Sequence, residues 1–120
     1  FAVGGGTCLF DMPLNASPAT VDSASFDRKL EAARGRAHTD FCLWGGLVPG
    51  NLHEIEALQA CGVIGLKAFL SHSGTDDFPK ADPRTLKAGM QRAAPPDAST
   101  ANPQVRGIVC HQGHARWTHV

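Results

Sequence analysis

The stretch "NLHEIEALQACGVIGLKAFL", residues 51–70, decides the fold. Its first half sets Leu52, Ile55 and Leu58 on one helical face, with Asn51 and Glu54 at capping-box spacing. Gly62 follows as a helix stop, since glycine enters the left-handed conformation without steric cost. The second half, Val63 to Leu70, is a short apolar strand with Lys67 at its centre. A helix, a tight stop and a buried strand are the units of a parallel sheet. A lysine is almost never fully buried without a partner, so Lys67 also asks for a compensating group.

The same rhythm extends outward on both sides. "TCLFDMP" (7–13) reads as a strand ending at Pro13, and "DSASFDRKLEAARGR" (22–36) as a helix with Phe26, Leu30 and Ala33 on one stripe. Asp22 or Ser23 caps that helix and Gly35 stops it. "DFCLWGGLV" (40–48) is the next strand. Beyond residue 70, Asp82-Pro83 announces a third helix, a cap followed by proline at the first helical position, with Leu86, Met90 and Ala93 as its stripe. Three strand–helix units with short connections predict an α/β fold with parallel strands. Periodicity leaves two architectures open, a doubly wound sheet or part of a (β/α)8 barrel, which takes about 250 residues when complete.

After Ala94 the rhythm stops. Residues 95–120, "PPDASTANPQVRGIVCHQGHARWTHV", are rich in proline and small polar residues and read as an atypical tail, loop or disordered. Within them Val105 to Cys110 is the one strand candidate. The domain reading is therefore residues 1–94 as the α/β unit and 95–120 as the tail. The chain opens at Phe1 on a segment that runs straight into a strand, so it reads as a piece of a larger protein.

Eleven basic and eleven acidic residues cancel, which argues against nucleic acid or an anionic membrane surface as partner. No apolar run approaches the roughly 20 residues of a membrane helix. Cys8, Cys42, Cys61 and Cys110 are widely spaced and form no CxxC pair, so they read as reduced thiols in a cytoplasmic protein.

In parallel α/β proteins functional groups collect at the carboxyl ends of strands. Asp11 to Asn15, Trp44 to Asn51 and Lys67 to Ser73 fall there. Gly4 to Gly6 precede a strand instead of linking a strand to a helix, which excludes a phosphate loop. Lys67 has two kinds of reading. Structurally, it snorkels from an edge or pairs with a carboxylate such as Asp11. Chemically, a desolvated amine of lowered pKa is a nucleophile, either forming a Schiff base or capturing carbon dioxide as a carbamate able to bridge two metal ions. His38 and His53 read as exposed, and His72 as a loop histidine near the functional end. Cys110, His111, His114 and His119 have no recognised zinc spacing.

Taken together, "TCLFDMPLNASPAT" (7–20) and "FCLWGGLVPGNLHEIEALQACGVIGLKAFLSHSGTDDFP" (41–79) resemble the allantoinases, cyclic-amide hydrolases of the amidohydrolase superfamily, over about residues 1–94. The combination of DMPLN, WGGLVPGN and GLKAFL carries the likeness. It implies a metal-dependent (β/α)8 TIM barrel, of which this chain holds about strands two to four. The implied cofactor is two divalent metal ions, usually zinc, and the implied partner is a small-molecule cyclic amide. Lys67 matches the family's carboxylated metal-bridging lysine, and Asn15 a substrate-proximal position. The His-x-His pair of the first strand would precede Phe1, and after "LKAGMQRAA" (86–94) the sequence departs from the family. Either the tail is not family sequence, or "VRGIVCH" (105–111) is a displaced fifth strand with His111 as metal ligand. The expected function is that of a fragment of an enzyme opening allantoin to allantoate, inactive as this isolated chain. The alternatives are a hydantoinase- or dihydroorotase-like hydrolase and a non-enzymatic α/β remnant.

Overall fold

The computed structural model describes residues 1–94 with their side chains and residues 108–111 as backbone. β1 (Cys8–Asp11) runs parallel to β2 (Asp40–Leu43), with Cys8 opposite Asp40 and Asp11 opposite Leu43. β3 (Gly45–Gly46) runs parallel to β4 (Leu66–Phe69), and β4 to β5 (Ile108–His111). The strand expected over 40–48 is thus split at Trp44, because its hydrogen-bonding partner changes there. The Trp44 N–H still donates to the Asp11 carbonyl at 3.0 Å, whereas the Gly45 N–H turns to Gly65 at 2.9 Å. Trp44 therefore joins the two small sheets through one continuous line of chain.

Local chemistry accounts for the helices between the strands. α1 (Ser23–Ala33) starts at Asp22 in a capping box: its carboxylate accepts from the Ser25 N–H at 2.7 Å, and the Ser25 hydroxyl accepts from the Asp22 N–H at 3.2 Å. α2 (Ile55–Cys61) follows a 3-10 turn over Leu52–Glu54 and ends at Gly62, whose φ of 98° is the left-handed cap that its glycine allows. α3 (Pro83–Ala93) begins as the Asp82-Pro83 pair predicts, with the Asp82 carboxylate accepting from the Thr85 N–H at 2.7 Å. That bond holds the Asp82 carboxyl below its ordinary pKa.

Two expectations need correction. Asn51 does not cap α2, since its side chain is spent on the preceding strand and loop. Met90 lies outside the core at 56% exposure. The buried stripe of α3 runs instead through Gly89 and Ala93, with Leu86 partly buried beside them. Gly89 lies so close to Leu47 that a methyl group there would overlap the leucine side chain. Met90, one residue on, is turned about 100° away and faces solvent.

The strands alternate cleanly between two layers despite their nearly continuous apolar sequence. Leu43, Leu47, Leu66 and Ala68 meet Phe26 of α1, Ile55 and Leu58 of α2, and Ala93 of α3 in one core. All three helices therefore cover the same face. The opposite face holds Val48 and Phe69, packed with Ala19 and Phe78 from the connecting loops. Lys67 sits on this second face, between Leu66 and Ala68 of the first. β5 falls within the segment read as tail, at Ile108–His111 where the sequence offered Val105 to Cys110. Residues 95–107 and 112–120, with His114 and His119, lie outside the described residues. Among the described residues no helix is long and apolar enough to cross a membrane.

Candidate functional site

Lys67 is partly buried on the face that carries no helix. Its backbone is fixed on one side by the Leu47 N–H, which donates to the Lys67 carbonyl at 2.8 Å, and on the other by the ladder to β5. Its Nζ lies 4.9 Å from the centroid of the Phe69 ring, within reach of the ring's negative face. Phe69 is in turn held edge-on to Phe78, centroids 5.7 Å apart at 78°. Two residues before Lys67, and so on the same face, Gly65 leaves room for the Trp44 ring: a methyl on Gly65 would sit 2.6 Å from Trp44 Cζ3. Lys67 thus stands in a row between two aromatic side chains.

This apolar setting decides the electrostatics. Burial alone pushes the Lys67 amine below the ordinary lysine pKa, because desolvation disfavours the ammonium. Among the described residues no carboxylate forms an ion pair with it. The pairing with Asp11 that the sequence allowed is corrected: Asp11 Oδ2 is 2.8 Å from Lys29 Nζ. A partly desolvated amine without a carboxylate is more often neutral, and the neutral amine is the nucleophile.

The Trp44 indole N–H and the Thr20 hydroxyl are buried without a hydrogen-bond partner among the described residues. Nothing in the sequence signalled these two groups, because apolar periodicity says nothing about which polar atoms a fold leaves over. The Asp11–Lys29 pair was equally hidden. Lys29 lies one position before Leu30 of the α1 stripe, and only packing shows that its side chain is 9% exposed.

The structure does not bring Asn15 and Lys67 together: Asn15 follows β1 of the two-stranded sheet, and Lys67 lies in β4 of the three-stranded one. Asn15 lies in the turn after β1, exposed, with its Nδ2 donating to Asp11 Oδ1 at 3.2 Å. His111 is placed by backbone alone: it holds the register position opposite Phe69, two residues beyond Val109, which is opposite Lys67. His72 accepts a hydrogen bond from the Gly74 N–H at Nδ1, 3.0 Å, as an exposed loop residue does. His53 pairs locally with Glu54 at 3.3 Å. Cys8, Cys42 and Cys61 are free thiols.

A two-metal centre needs several His, carboxylate or thiolate ligands converging on one point. Among the described residues no three His, Cys, Asp or Glu side chains do so. These residues by themselves therefore do not fit a metal pair, and Lys67 is the one candidate ligand whose side chain is described.

No family model matches the chain. Curated relatives do. The chain is 57% identical over 93 residues to an allantoinase of Solibacter usitatus, covering 78% of this chain and 20% of the relative. It is 56% identical over 93 residues to an allantoinase of Rubrobacter xylanophilus, with the same coverage. An allantoinase of Arabidopsis thaliana matches at 46% over 92 residues, 74% of this chain and 18% of the relative. Among solved structures, the L-hydantoinase (dihydropyrimidinase) from Arthrobacter aurescens superposes with a TM-score of 0.72 at 35% identity, over 77% of this chain and 20% of that one. The chain spans about a fifth of the length of the curated relatives it matches.

Proposed function

We propose, from the premise that this chain is an allantoinase-like segment, that residues 1–94 supply the lysine strand of a metal-dependent cyclic-amide hydrolase. In this reading the segment forms about strands two to four of a (β/α)8 barrel. A doubly wound sheet carries helices on both faces, whereas a barrel keeps them all outside and fills its interior with alternate strand residues. Here α1, α2 and α3 share one face, which favours the barrel.

The observation that carries the functional reading is Lys67 on the opposite, interior face, partly desolvated and without a carboxylate among the described residues. We assign it the role of a carboxylated lysine that ligates metal in the longer protein. His111 is the second proposed ligand, on its register position beside β4. Asn15, at the carboxyl end of β1, is proposed to face the substrate. The implied metals are two divalent ions, with zinc the expected identity, and they would supply an activated water and polarise the amide carbonyl. The residues described here position a ligand and offer the lysine, and the further ligands that a metal pair requires are not among them. The isolated chain is therefore expected to be inactive.

Allantoin, opened to allantoate, is the preferred substrate because identity to the allantoinases reaches 57%, against 35% for the hydantoinase structure. The setting we propose is cytoplasmic, consistent with the free thiols of Cys8, Cys42 and Cys61 among the described residues. The test is a segment exchange. Residues 1–94 replace the matching segment of the Solibacter usitatus allantoinase, and allantoin ring opening is followed in the graft and in the isolated chain. Turnover in the graft and none in the isolated chain is the expected pair of results. A folded, metal-loaded graft that opens hydantoin but not allantoin would overturn the substrate assignment.

A further inference from the structure

Asn15, Asp11 and Lys29 form a relay that the proposed role of Asn15 does not explain. Lys29 reaches from α1 across to the end of β1 and makes two short contacts there, 2.8 Å to Asp11 Oδ2 and 2.7 Å to the Met12 carbonyl. The other carboxylate oxygen, Asp11 Oδ1, accepts from Asn15 Nδ2 at 3.2 Å. The Asn15 backbone N–H closes the turn on the same Met12 carbonyl at 3.3 Å. Lys29 therefore fixes both the turn that carries Asn15 and the group that its side chain touches. The relay borders a cavity of about 420 Å³ that Leu9, Arg28 and Leu43 also line.

The chemistry of the relay sets a direction. An ionised carboxylate only accepts hydrogen bonds, so the Asn15 amide must turn its nitrogen toward Asp11 and its oxygen away. The Lys29 ammonium, 2.8 Å from Oδ2, holds the carboxylate in place. A free asparagine offers a ligand either a donor or an acceptor by rotating its amide. Here the bond to Asp11 favours one orientation, in which the atom facing away is the acceptor, Oδ1.

We propose that Lys29 and Asp11 are positioning residues that lock Asn15 as a hydrogen-bond acceptor, selecting ligands that present an N–H over ligands that present a carboxylate. This rests on the reading of Asn15 as a substrate-facing residue. The ligand class it selects is the neutral cyclic ureide, whose ring N–H donates, and a carboxylate oxygen is repelled by the same Oδ1. A site built around one hydrogen-bond polarity discriminates against the opposite polarity because its own polar atom is then left unpaired.

The experiment uses the full chain, labelled with nitrogen-15, titrated with hydantoin and separately with acetate while the backbone and side-chain amide resonances are followed. In the wild-type chain hydantoin is expected to shift the Asn15 side-chain amide and to bind in preference to acetate. Asp11→Asn keeps the shape but lets residue 11 donate, which frees the Asn15 amide to rotate. Its hydantoin-over-acetate preference should fall by about fivefold, the scale of one hydrogen bond. Lys29→Met should do the same by releasing the carboxylate, and Lys29→Arg should restore the preference. If both substitutions leave the preference unchanged while hydantoin still shifts Asn15, the positioning role is overturned and the substrate-facing reading stands. If hydantoin shifts neither Asn15 nor its neighbours in the wild-type chain, the substrate-facing reading itself is overturned. The near-isosteric Asp11→Asn variant keeps the test decisive should Lys29→Met fail to fold.

Discussion

Lys67→Ala, introduced into the segment-exchange allantoinase, is expected to abolish allantoin turnover. The loss should exceed the about 10–100-fold cost of removing a group that merely supports a metal ligand. A lysine becomes a metal ligand only by turning from cation to anion. Its neutral amine attacks carbon dioxide, the N–C bond forms, a proton leaves the nitrogen, and a carboxylate then stands at the end of the long side chain. The apolar row from Trp44 to Phe69 favours the first step, because burial penalises the ammonium and lowers the pKa. Alanine removes the arm, and nothing else described on this face can reach in its place. Lys67→Met is the control that keeps the stem and its packing against Phe69 while removing the amine. It should fold as the wild type does and be equally inactive. Turnover in either variant within a few-fold of the parent graft would sink the assignment.

The second large effect is on stability. Asn51→Ala is expected to destabilise the fold by about 3 kcal/mol or more, since each buried group left without its partner costs about 1–3 kcal/mol. Asn51 is 7% exposed and makes three bonds across the core of the connections. Its Oδ1 accepts from the Val48 N–H at 3.0 Å, and its Nδ2 donates to the Val21 carbonyl at 2.7 Å and the Gly46 carbonyl at 2.9 Å. One side chain thus ties the end of β3, the loop before α1 and the start of α2. For a domain whose total stability is about 5–15 kcal/mol, that loss is a large share. Chemical denaturation measures it directly. Glu54→Ala is the informative partner, because a capping box between Asn51 and Glu54 would make it costly. The structure has no such box, and Glu54→Ala should leave the denaturation midpoint nearly unchanged.

The contrast between these residues explains what could be read from the sequence. Asp22, Gly62 and the Asp82-Pro83 pair act within one turn of chain, so their spacing alone locates the helix ends that the structure shows. Asn51 has the same spacing signature, yet its partners Val21 and Gly46 are 30 and 5 residues away, and tertiary bonds take precedence over the local cap. The break at Trp44 was hidden for a related reason. A strand keeps its apolar pattern when its neighbour changes from β1 to β4, and only the ladder records the change. Met90 carried a plausible stripe until the contact of Gly89 with Leu47 fixed the rotation of α3. Of the candidate site, Lys67 was legible as an amine in an apolar strand. The carboxylate it was offered, Asp11, belongs to Lys29, a pairing set by how α1 lies on β1. His111 was legible as a residue type, and its register beside β4 needed the fold.

The state of the Lys67 nitrogen in the segment-exchange enzyme is the most direct test. With carbon-13 bicarbonate as the carbon source, the active graft should show a carbamate resonance that is absent from Lys67→Ala. In metal-free protein that signal should weaken as pH falls through the lowered Lys67 pKa, because only the neutral amine captures carbon dioxide. An active, metal-loaded graft with no carbamate resonance, or with one that survives Lys67→Ala, would contradict the assignment of Lys67 as the carboxylated ligand.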